Sequence, residues 1–310
     1  MSKAIRNLLI LASVLLIIGG IIATVGTALG GMKPVYPTKD GWKLFSISSA
    51  DFVEVDEKYN NITEVVIDSD IMDIRFVEGS SFSLKGQYNS SIMSLDISEK
   101  NGVLTIRAKN LDNAWLRFGW WWDIIRISQP GQELTLTYPK GTKFKNVDVT
   151  ADLGSLKIDS LEAESLSVSL ALGDFSGSSI TVGSVEARLN AGSCSIRNLT
   201  VSRSAEFNMD SGGLYLRDST INNLTATNNV GSIEFSGSLK GKARFKLDLG
   251  SLDVSLQNAE KDLSYTITTD LGSIKINGRN YGSPARSSAS SPDCTLDITT
   301  SVGSVTLKTR

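Results

Sequence analysis

The sequence predicts an all-β fold, a β-solenoid of short stacked repeats that follows one N-terminal transmembrane helix. Three features predict it. A glycine recurs at nearly constant intervals from residue 154 onward, apolar and polar residues alternate around each copy, and an uncharged apolar run stands near the start of the chain. These features divide the chain into a transmembrane anchor (1–31), a linker (32–60), an N-terminal β cap region (61–140) and the solenoid repeats (141–310).

The apolar run covers residues 8–29 and contains no charged residue. At about 1.5 Å per residue, a helix of this length crosses the roughly 30 Å hydrocarbon core of a bilayer. Lys3 and Arg6 precede it, so the positive-inside rule predicts a single-pass cell-membrane protein with a cytoplasmic N-terminus. A cleaved signal peptide is the alternative, because small residues stand at 26–28, although such apolar cores usually span about 7–15 residues. Both interpretations place the C-terminal domain outside the cytoplasm.

The repeat frame is centred on a glycine and returns at intervals of 19 to 22 residues, with a last interval of 31. Apolar residues stand two positions after the glycine and, in most copies, five and seven positions before it. Such i, i+2 alternation indicates strands with one buried face. In six of eight copies Asp or Asn stands two positions before the glycine, which favours a turn because glycine adopts positive φ. The predicted corner glycines are Gly154, Gly173, Gly192, Gly212, Gly231, Gly250, Gly272 and Gly303.

A two-strand unit of about 19 residues cannot bury its apolar face alone, so stacking of successive copies is expected to create one continuous core. The main alternative is an antiparallel sandwich of hairpins, which short regular strands also fit. The repeated corner favours stacking, because like corners align when rungs stack in register. Residues 70–76 repeat the frame of residues 152–158 with Met72 in place of the glycine, as an atypical terminal copy would.

The motifs as a set resemble a known family. The alternating strands with recurrent Gly-Ser or Gly-Asp, the stretch LTYPKGTKFKNVDV before them and the N-terminal anchor are similar to the bacterial "putative adhesin" family of envelope proteins, a domain of unknown function. The resemblance covers residues 61–310. It implies a solenoid resembling a right-handed β-helix and a cell-surface setting, and it transfers no catalytic residue. The tryptophan cluster and the long last interval depart from the family pattern.

That tryptophan cluster is the candidate contact site, with Trp115, Arg117, Trp120, Trp121 and Trp122 as its residues. Aromatic rings beside arginine can stack on sugars, grip a protein partner or enter a membrane interface. The structural alternative is a hydrophobic plug that seals the first rung. Elsewhere, the Asp and Asn of the corners serve the turns or, as the alternative, bind calcium. The loop 277–292 is predicted to be a mobile surface insertion or a contact loop.

Composition excludes most chemistry. The chain has 310 residues, a net charge of -2 and no histidine, which removes His-dependent nucleophiles and metal sites. Cys194 and Cys294 form no CxxC motif, and as buried thiols several rungs apart they are not expected to form a disulfide. A nearly neutral chain also offers little attraction to a phosphate backbone. We therefore expect no catalytic residue, metal, cofactor or nucleic-acid partner.

Three functions remain open at this point. The first is a non-enzymatic cell-surface binding or scaffold protein, adhesin-like, that holds the membrane through residues 8–29 and contacts cell-wall glycan or an envelope protein. The second is an envelope-stress sensing or regulatory membrane protein, which needs a membrane partner because the cytoplasmic tail is short. The third is a carbohydrate-active β-helix enzyme, although the predicted corners build no groove with paired carboxylates.

Overall fold

The computed structural model describes residues 35–38, 41–44, 52–90, 93–110 and 132–310. The chain divides into two compact units, residues 1–51 and Phe52–Arg310. In the first unit β1 (Val35–Thr38) and β2 (Gly41–Leu44) form an antiparallel hairpin. The predicted transmembrane helix at 8–29 lies outside the described residues. Within the described ranges, no helix combines the length and the apolar character needed to cross a membrane.

The second unit is built from strands, with one short 3-10 turn at Glu260–Asp262 among its described residues. Its first strand occupies residues that the sequence analysis assigned to the linker. The strands are β3 (Phe52–Tyr59), β4 (Glu64–Ile71), β5 (Asp73–Gly79), β6 (Phe82–Asn89), β7 (Met93–Lys100), β8 (Val103–Asn110), β9 (Glu133–Pro139), β10 (Lys143–Leu153), β11 (Leu156–Ile158), β12 (Leu161–Leu172), β13 (Phe175–Ala191), β14 (Cys194–Leu256), β15 (Leu263–Ile276), β16 (Arg279–Tyr281), β17 (Ala285–Ser287) and β18 (Cys294–Lys308).

Successive repeats stack as parallel rungs. β10 pairs in parallel with β12, β12 with β13, and β13 with β14, so that Val147 faces Leu166 and Leu166 faces Val185. β11 is the second strand of its rung, and it pairs in parallel with β5 on one side and with the start of β13 on the other. The long β14 winds through several rungs rather than running straight. Parallel pairing between repeats is what a solenoid requires, whereas a sandwich of hairpins would pair them antiparallel.

Each repeat contains a third extended segment with buried side chains, which the predicted two-strand unit did not include. Leu161 and Ala163 pair with Ile180 and Val182, which pair in turn with Leu199 and Val201. All six side chains are buried. This segment lies between the second strand of one copy and the first strand of the next, outside the predicted two-strand unit. The extra residue of the 20-residue interval is absorbed just after it, by a register shift opposite Val182 and Ser184.

The rungs at both ends are out of sequence order. β8 pairs with β4 and β9 with β5, while β4 and β5 pair on their other sides with β10 and β11. The rung formed by β8 and β9 is therefore outermost at this end, although it comes later in the chain. At the opposite end β18, the last strand, lies between β14 and β15.

Antiparallel strands cover the end rungs. β7 pairs with β8, and β6 pairs with β9 and then with β3. At the other end β16 and β17 both pair with β15. The predicted mobile loop 277–292 is therefore partly strand, because its backbone groups pair with the last rung. Such cover matters because an open edge presents unpaired N–H and C=O groups to other chains.

Candidate functional site

The corner glycines form one column in which each lies against the backbone of the preceding rung. A Cβ built on Gly173 would stand 1.9 Å from the carbonyl oxygen of Gly154. The same contact, at 1.7 to 1.9 Å, recurs at the later members of the column. The spatial order is Gly154, Gly173, Gly192, Gly212, Gly231, Gly250, Gly303 and Gly272. Except at Gly272, φ lies between +130° and +154°, a region that L-residues avoid.

Glycine is thus required at the corner for two reasons. The sequence predicted the positive φ of the turn but not the contact between rungs. The one sequence feature that indicates this contact is the strict recurrence of glycine at the corner. Met72 stands at the head of the column, with its carbonyl oxygen 2.2 Å from a Cβ built on Gly154. Its own side chain is 1% exposed, so this atypical copy adds to the core rather than to the column.

The carboxylates that bond backbone N–H groups at the corners come from two positions. Asp70, two residues before Met72, accepts from the N–H of Asn110 at 2.8 Å. Asp73 and Asp174, which follow the corner position, accept from the N–H groups of Ser155 and Ser193, each at 2.8 Å. No group of three or more metal-ligating side chains occurs in the described part of the chain.

Asn110 and Gln132 bracket the predicted tryptophan cluster, whose own residues lie outside the described ranges. Asn110 donates its backbone N–H to Oδ2 of Asp70 at 2.8 Å, and the carbonyl oxygen of Gln132 accepts from the N–H of Asp73 at 3.0 Å. Nζ of Lys109 also contacts Asp70, at 3.0 Å. Asn110 and Gln132 are therefore both held beside the corner that Asp70 and Asp73 form on the adjacent rung.

A cluster of phenyl and phenol rings seals the core beside these first rungs. Tyr138 packs edge-on against Phe144 with ring centroids 5.1 Å apart, and at 6.4 Å against Phe76. Phe82 packs edge-on against Phe144, also at 6.4 Å. All four side chains are buried. The described residues thus supply an aromatic seal of the kind that the plug alternative assigned to the tryptophans.

Both thiols of the chain are buried and held in the protonated form. Cys194 and Cys294 are free and buried. Burial raises the pKa of the Cys194 thiol far above its ordinary value and raises the pKa of Cys294 to about 11. Burial likewise raises the pKa of the Tyr138 phenol. Because the thiolate is the reactive form of cysteine, neither thiol is suited to nucleophilic chemistry near neutral pH.

A shallow trough of about 250 Å³ lies on the face formed by the second strands of the rungs. Its floor consists of Ser176, Gly177 and Ser178 on one rung and Ser195 on the next, where Ser176 pairs with Ser195 and Ser178 with Arg197. Ser178 donates its hydroxyl to the carbonyl oxygen of Asp159 at 2.7 Å. The hydroxyls of Ser176 and Ser195 have no partner within the described chain, and they lie among the residues that line the trough.

The walls of the trough are charged. On one side Arg75 donates from both Nε and a terminal nitrogen to Oδ2 of Asp159, at 3.2 and 2.7 Å. On the other side Arg217 makes a two-point contact with Glu234 at 3.0 and 3.1 Å, and its guanidinium lies 5.4 Å from the centre of the Tyr215 ring. These contacts raise the pKa of Arg75 and Arg217 and lower the pKa of Glu234, because each favours the charged form.

The remaining two cations of the trough are paired loosely. Nζ of Lys157 stands 3.8 Å from Asp159, whose carboxylate already accepts from Arg75. A terminal nitrogen of Arg197 stands 3.6 Å from Asp218. Both side chains are more than half exposed, at 54% and 62%. Lys157 and Arg197 can therefore reorient toward an external anion at small cost.

Stacked parallel rungs, a continuous core and covered ends define a β-solenoid domain. The Toastrack DUF4097 family model matches residues 62–308, which is most of the chain and nearly all of its second unit. The chain belongs to this family. This match confirms the family predicted from the sequence.

Among solved structures that are similar to this chain, a putative adhesin of Bacteroides fragilis is 11% identical over 84% of this chain and 98% of its own, with a TM-score of 0.45. A putative cell adhesion protein of Clostridium sporogenes is 11% identical over 84% and 100%, with a TM-score of 0.29. A putative adhesin of Parabacteroides distasonis is 7% identical over 84% and 97%, with a TM-score of 0.33. Identities and scores this low carry no information on function. No curated protein is significantly similar to the chain.

Proposed function

We propose that this chain is a non-enzymatic binding or scaffold protein of the cell surface, adhesin-like in its role. Residues 8–29 hold it in the cell membrane as a single-pass anchor, with the N-terminus cytoplasmic and the solenoid outside. Its ligand is a repeating polymer of the envelope, for which cell-wall glycan is the first candidate and an envelope protein the second.

The observation that carries the proposal is the repetition of hydroxyl side chains in register on successive rungs. Adjacent strands lie about 4.8 Å apart, so each column repeats at this spacing along the stack. A hydroxyl group both donates and accepts, and a column of them suits a ligand that presents its own hydroxyls at regular intervals. Columns of this kind are Ser165–Ser184–Ser204, Thr181–Thr200, Ser176–Ser195 and Ser251–Ser304–Ser273.

The tryptophan cluster is the proposed point of strongest contact. Trp115, Trp120, Trp121 and Trp122 offer large amphipathic rings, and Arg117 adds a planar cation beside them. Two facts favour a contact role over a plug. Its flanking residues Asn110 and Gln132 are held beside the corner that Asp70 and Asp73 form, and the core there has its own aromatic seal.

The proposal is tested by sedimentation of the full-length protein, in nanodiscs, with purified insoluble cell wall. The variant Trp120→Ala/Trp121→Ala/Trp122→Ala is expected to bind at least tenfold more weakly, because aromatic anchors carry several kcal/mol of a typical interface. Tyr281→Ala is the control, since this tyrosine is an exposed aromatic residue beside the last rung. Equal binding by the triple variant and the control, or no binding by the unaltered chain, would refute the proposal.

A further inference from the structure

We propose that the trough between Lys157 and Arg217 is a binding site for an anionic sugar residue, one that carries a carboxylate or phosphate. This inference specifies the ligand class of the surface-binding role and rests on that role for its biological setting. The polar residues that line the trough are Lys157, Asp159, Ser176, Ser178, Ser195, Arg197 and Arg217. Arg75 and Glu234 stand behind this lining as the partners of Asp159 and Arg217.

The charge of the trough favours an anion. Among the residues that line it, Lys157, Arg197 and Arg217 are cationic and Asp159 is the one carboxylate. Asp159 is already held by Arg75 at hydrogen-bond distance, and Arg217 and Arg197 pair with Glu234 and Asp218 beside the trough. Lys157 and Arg197 are the loosely paired cations that can meet an anion, on a chain whose net charge is -2. A single negative group is therefore complementary to it.

The floor of the trough selects a ligand rich in hydroxyls. Ser176 and Ser195 have short side chains, so two adjacent rungs are lower than Lys157 on one side and Arg217 on the other. At about 4.8 Å per strand, the backbones of these two walls stand about 14 Å apart, wide enough for a ring that lies across two rungs. The free hydroxyls of both serines can donate to, or accept from, the hydroxyls of such a ring.

Other ligand classes fit less well. Protein partners are held by aromatic or aliphatic anchors in dry pockets, and the apolar side chains in this lining, Ile158 and Ile196, are each only 1% exposed. A nucleic-acid backbone needs many cations, and this trough is lined by three, of which Arg217 is already paired with Glu234. At about 250 Å³ the trough is also smaller than the roughly 300–1,000 Å³ of drug-type pockets, which suits one sugar residue of a longer chain.

The test is a calorimetric titration of the full-length protein in nanodiscs with three probes at low ionic strength. They are a trigalacturonate, a phosphorylated hexose, and a neutral trisaccharide of similar size. We expect millimolar binding of at least one anionic probe and at least tenfold weaker binding of the neutral one, because charge-assisted hydrogen bonds are about twice as strong as neutral ones. The stronger of the two anionic probes identifies the source of the charge.

Lys157→Gln/Arg197→Gln is expected to weaken binding of the anionic probe at least tenfold. The matched control is Arg244→Gln/Lys246→Gln, which removes the same charge from residues that are also loosely paired, at 3.6 and 3.4 Å, and 69% and 52% exposed. A third variant, Ser176→Tyr, keeps every charge but fills the floor, and it is expected to abolish binding. Circular dichroism verifies that each variant is folded.

Three outcomes would overturn the inference: no binding of either anionic probe, undiminished binding by Lys157→Gln/Arg197→Gln, or equal losses in the two charge variants. The last would mean that net charge alone attracts the probe. The tryptophan triple variant separates the two proposals, because it should bind the soluble probe normally while failing to sediment with cell wall. If it loses neither property, the surface-binding proposal fails and the trough still stands.

Discussion

The glycine column can be tested by replacing one interior member, Gly231, with alanine. The new Cβ would stand 1.8 Å from the carbonyl oxygen of Gly212, and φ at this position is +139°. Strain at such a φ costs about 1–3 kcal/mol for a residue with a side chain. Relief of the contact requires the two rungs to separate locally, and each ladder hydrogen bond lost there costs about 1 kcal/mol. We expect Gly231→Ala to lower the free energy of unfolding by about 3–5 kcal/mol.

Three other glycines separate the two causes. Gly278 has φ of +83° but nothing within 4 Å of its Cβ position, so its replacement by alanine should cost only about 1–2 kcal/mol from conformation. Gly272 lies 1.7 Å from the carbonyl oxygen of Gly303 without the unusual φ. It stands on the last rung, which has room to move, so we expect a cost of about 1–2 kcal/mol. Gly282 has neither constraint, and Gly282→Ala should stay within about 0.5 kcal/mol of the unaltered chain.

Equilibrium unfolding in guanidinium chloride, followed by far-ultraviolet circular dichroism, measures all four variants under identical conditions. The reasoning predicts the order Gly231→Ala as most destabilised and Gly282→Ala as least. It fails if Gly231→Ala unfolds within 1 kcal/mol of the unaltered chain, because a backbone contact between rungs would then have no measurable effect. It fails equally if Gly278→Ala is as damaging as Gly231→Ala, because conformation alone would then account for the glycine.

Further predictions concern titration, thiols and the last strand. Arg217 lowers the pKa of Glu234 in the folded protein. The ion pair therefore stabilises the fold above the unfolded pKa of glutamate, and this stabilisation is lost as pH falls through the lower folded pKa. Glu234→Gln should flatten this part of the pH–stability profile, and an unchanged profile would contradict the pairing. Cys194 and Cys294 should both resist a thiol reagent in the folded protein and react fully in denaturant, so that rapid labelling without denaturant would argue against their burial. Removal of residues 294–310 takes out an internal rung, and we expect loss of the cooperative unfolding transition; retention of the full-length midpoint would mean that the strand is peripheral.

The rung itself could be predicted from the sequence because the same alternation of apolar and polar residues recurs around every corner glycine. Alternation around each glycine indicates which side chains are buried, and the side chains two positions after the glycine, from Leu156 to Val305, are indeed 0–1% exposed. The third extended segment escaped prediction because its residues vary more. Leu161 stands seven residues after its corner glycine, and Ser219 stands at the same distance after Gly212, so no unbroken column of apolar residues stands out.

The trough could not be predicted for a different reason. Lys157, Ser195 and Arg197 look like ordinary outward-facing residues of separate strands, and solvent-exposed positions carry no periodic signal. Only the register between rungs brings Ser176 beside Ser195 and Ser178 beside Arg197. A site formed across a stack depends on register, and register becomes certain only when the rung order is known.

The order of the last rungs illustrates how a local feature can decide a global one. β14, β18 and β15 carry the same alternation, with Leu252, Val305 and Ile274 at one equivalent position, so apolar pattern alone allows β18 on either side of β15. The deciding element is the turn at Asn277 and Gly278, both with positive φ, which returns β16 antiparallel beside β15. A two-residue turn of this kind connects adjacent antiparallel strands, so β16 must pair with β15. Because β16 and β17 then occupy one edge of β15, the only edge left for the last strand is the inner one, facing β14.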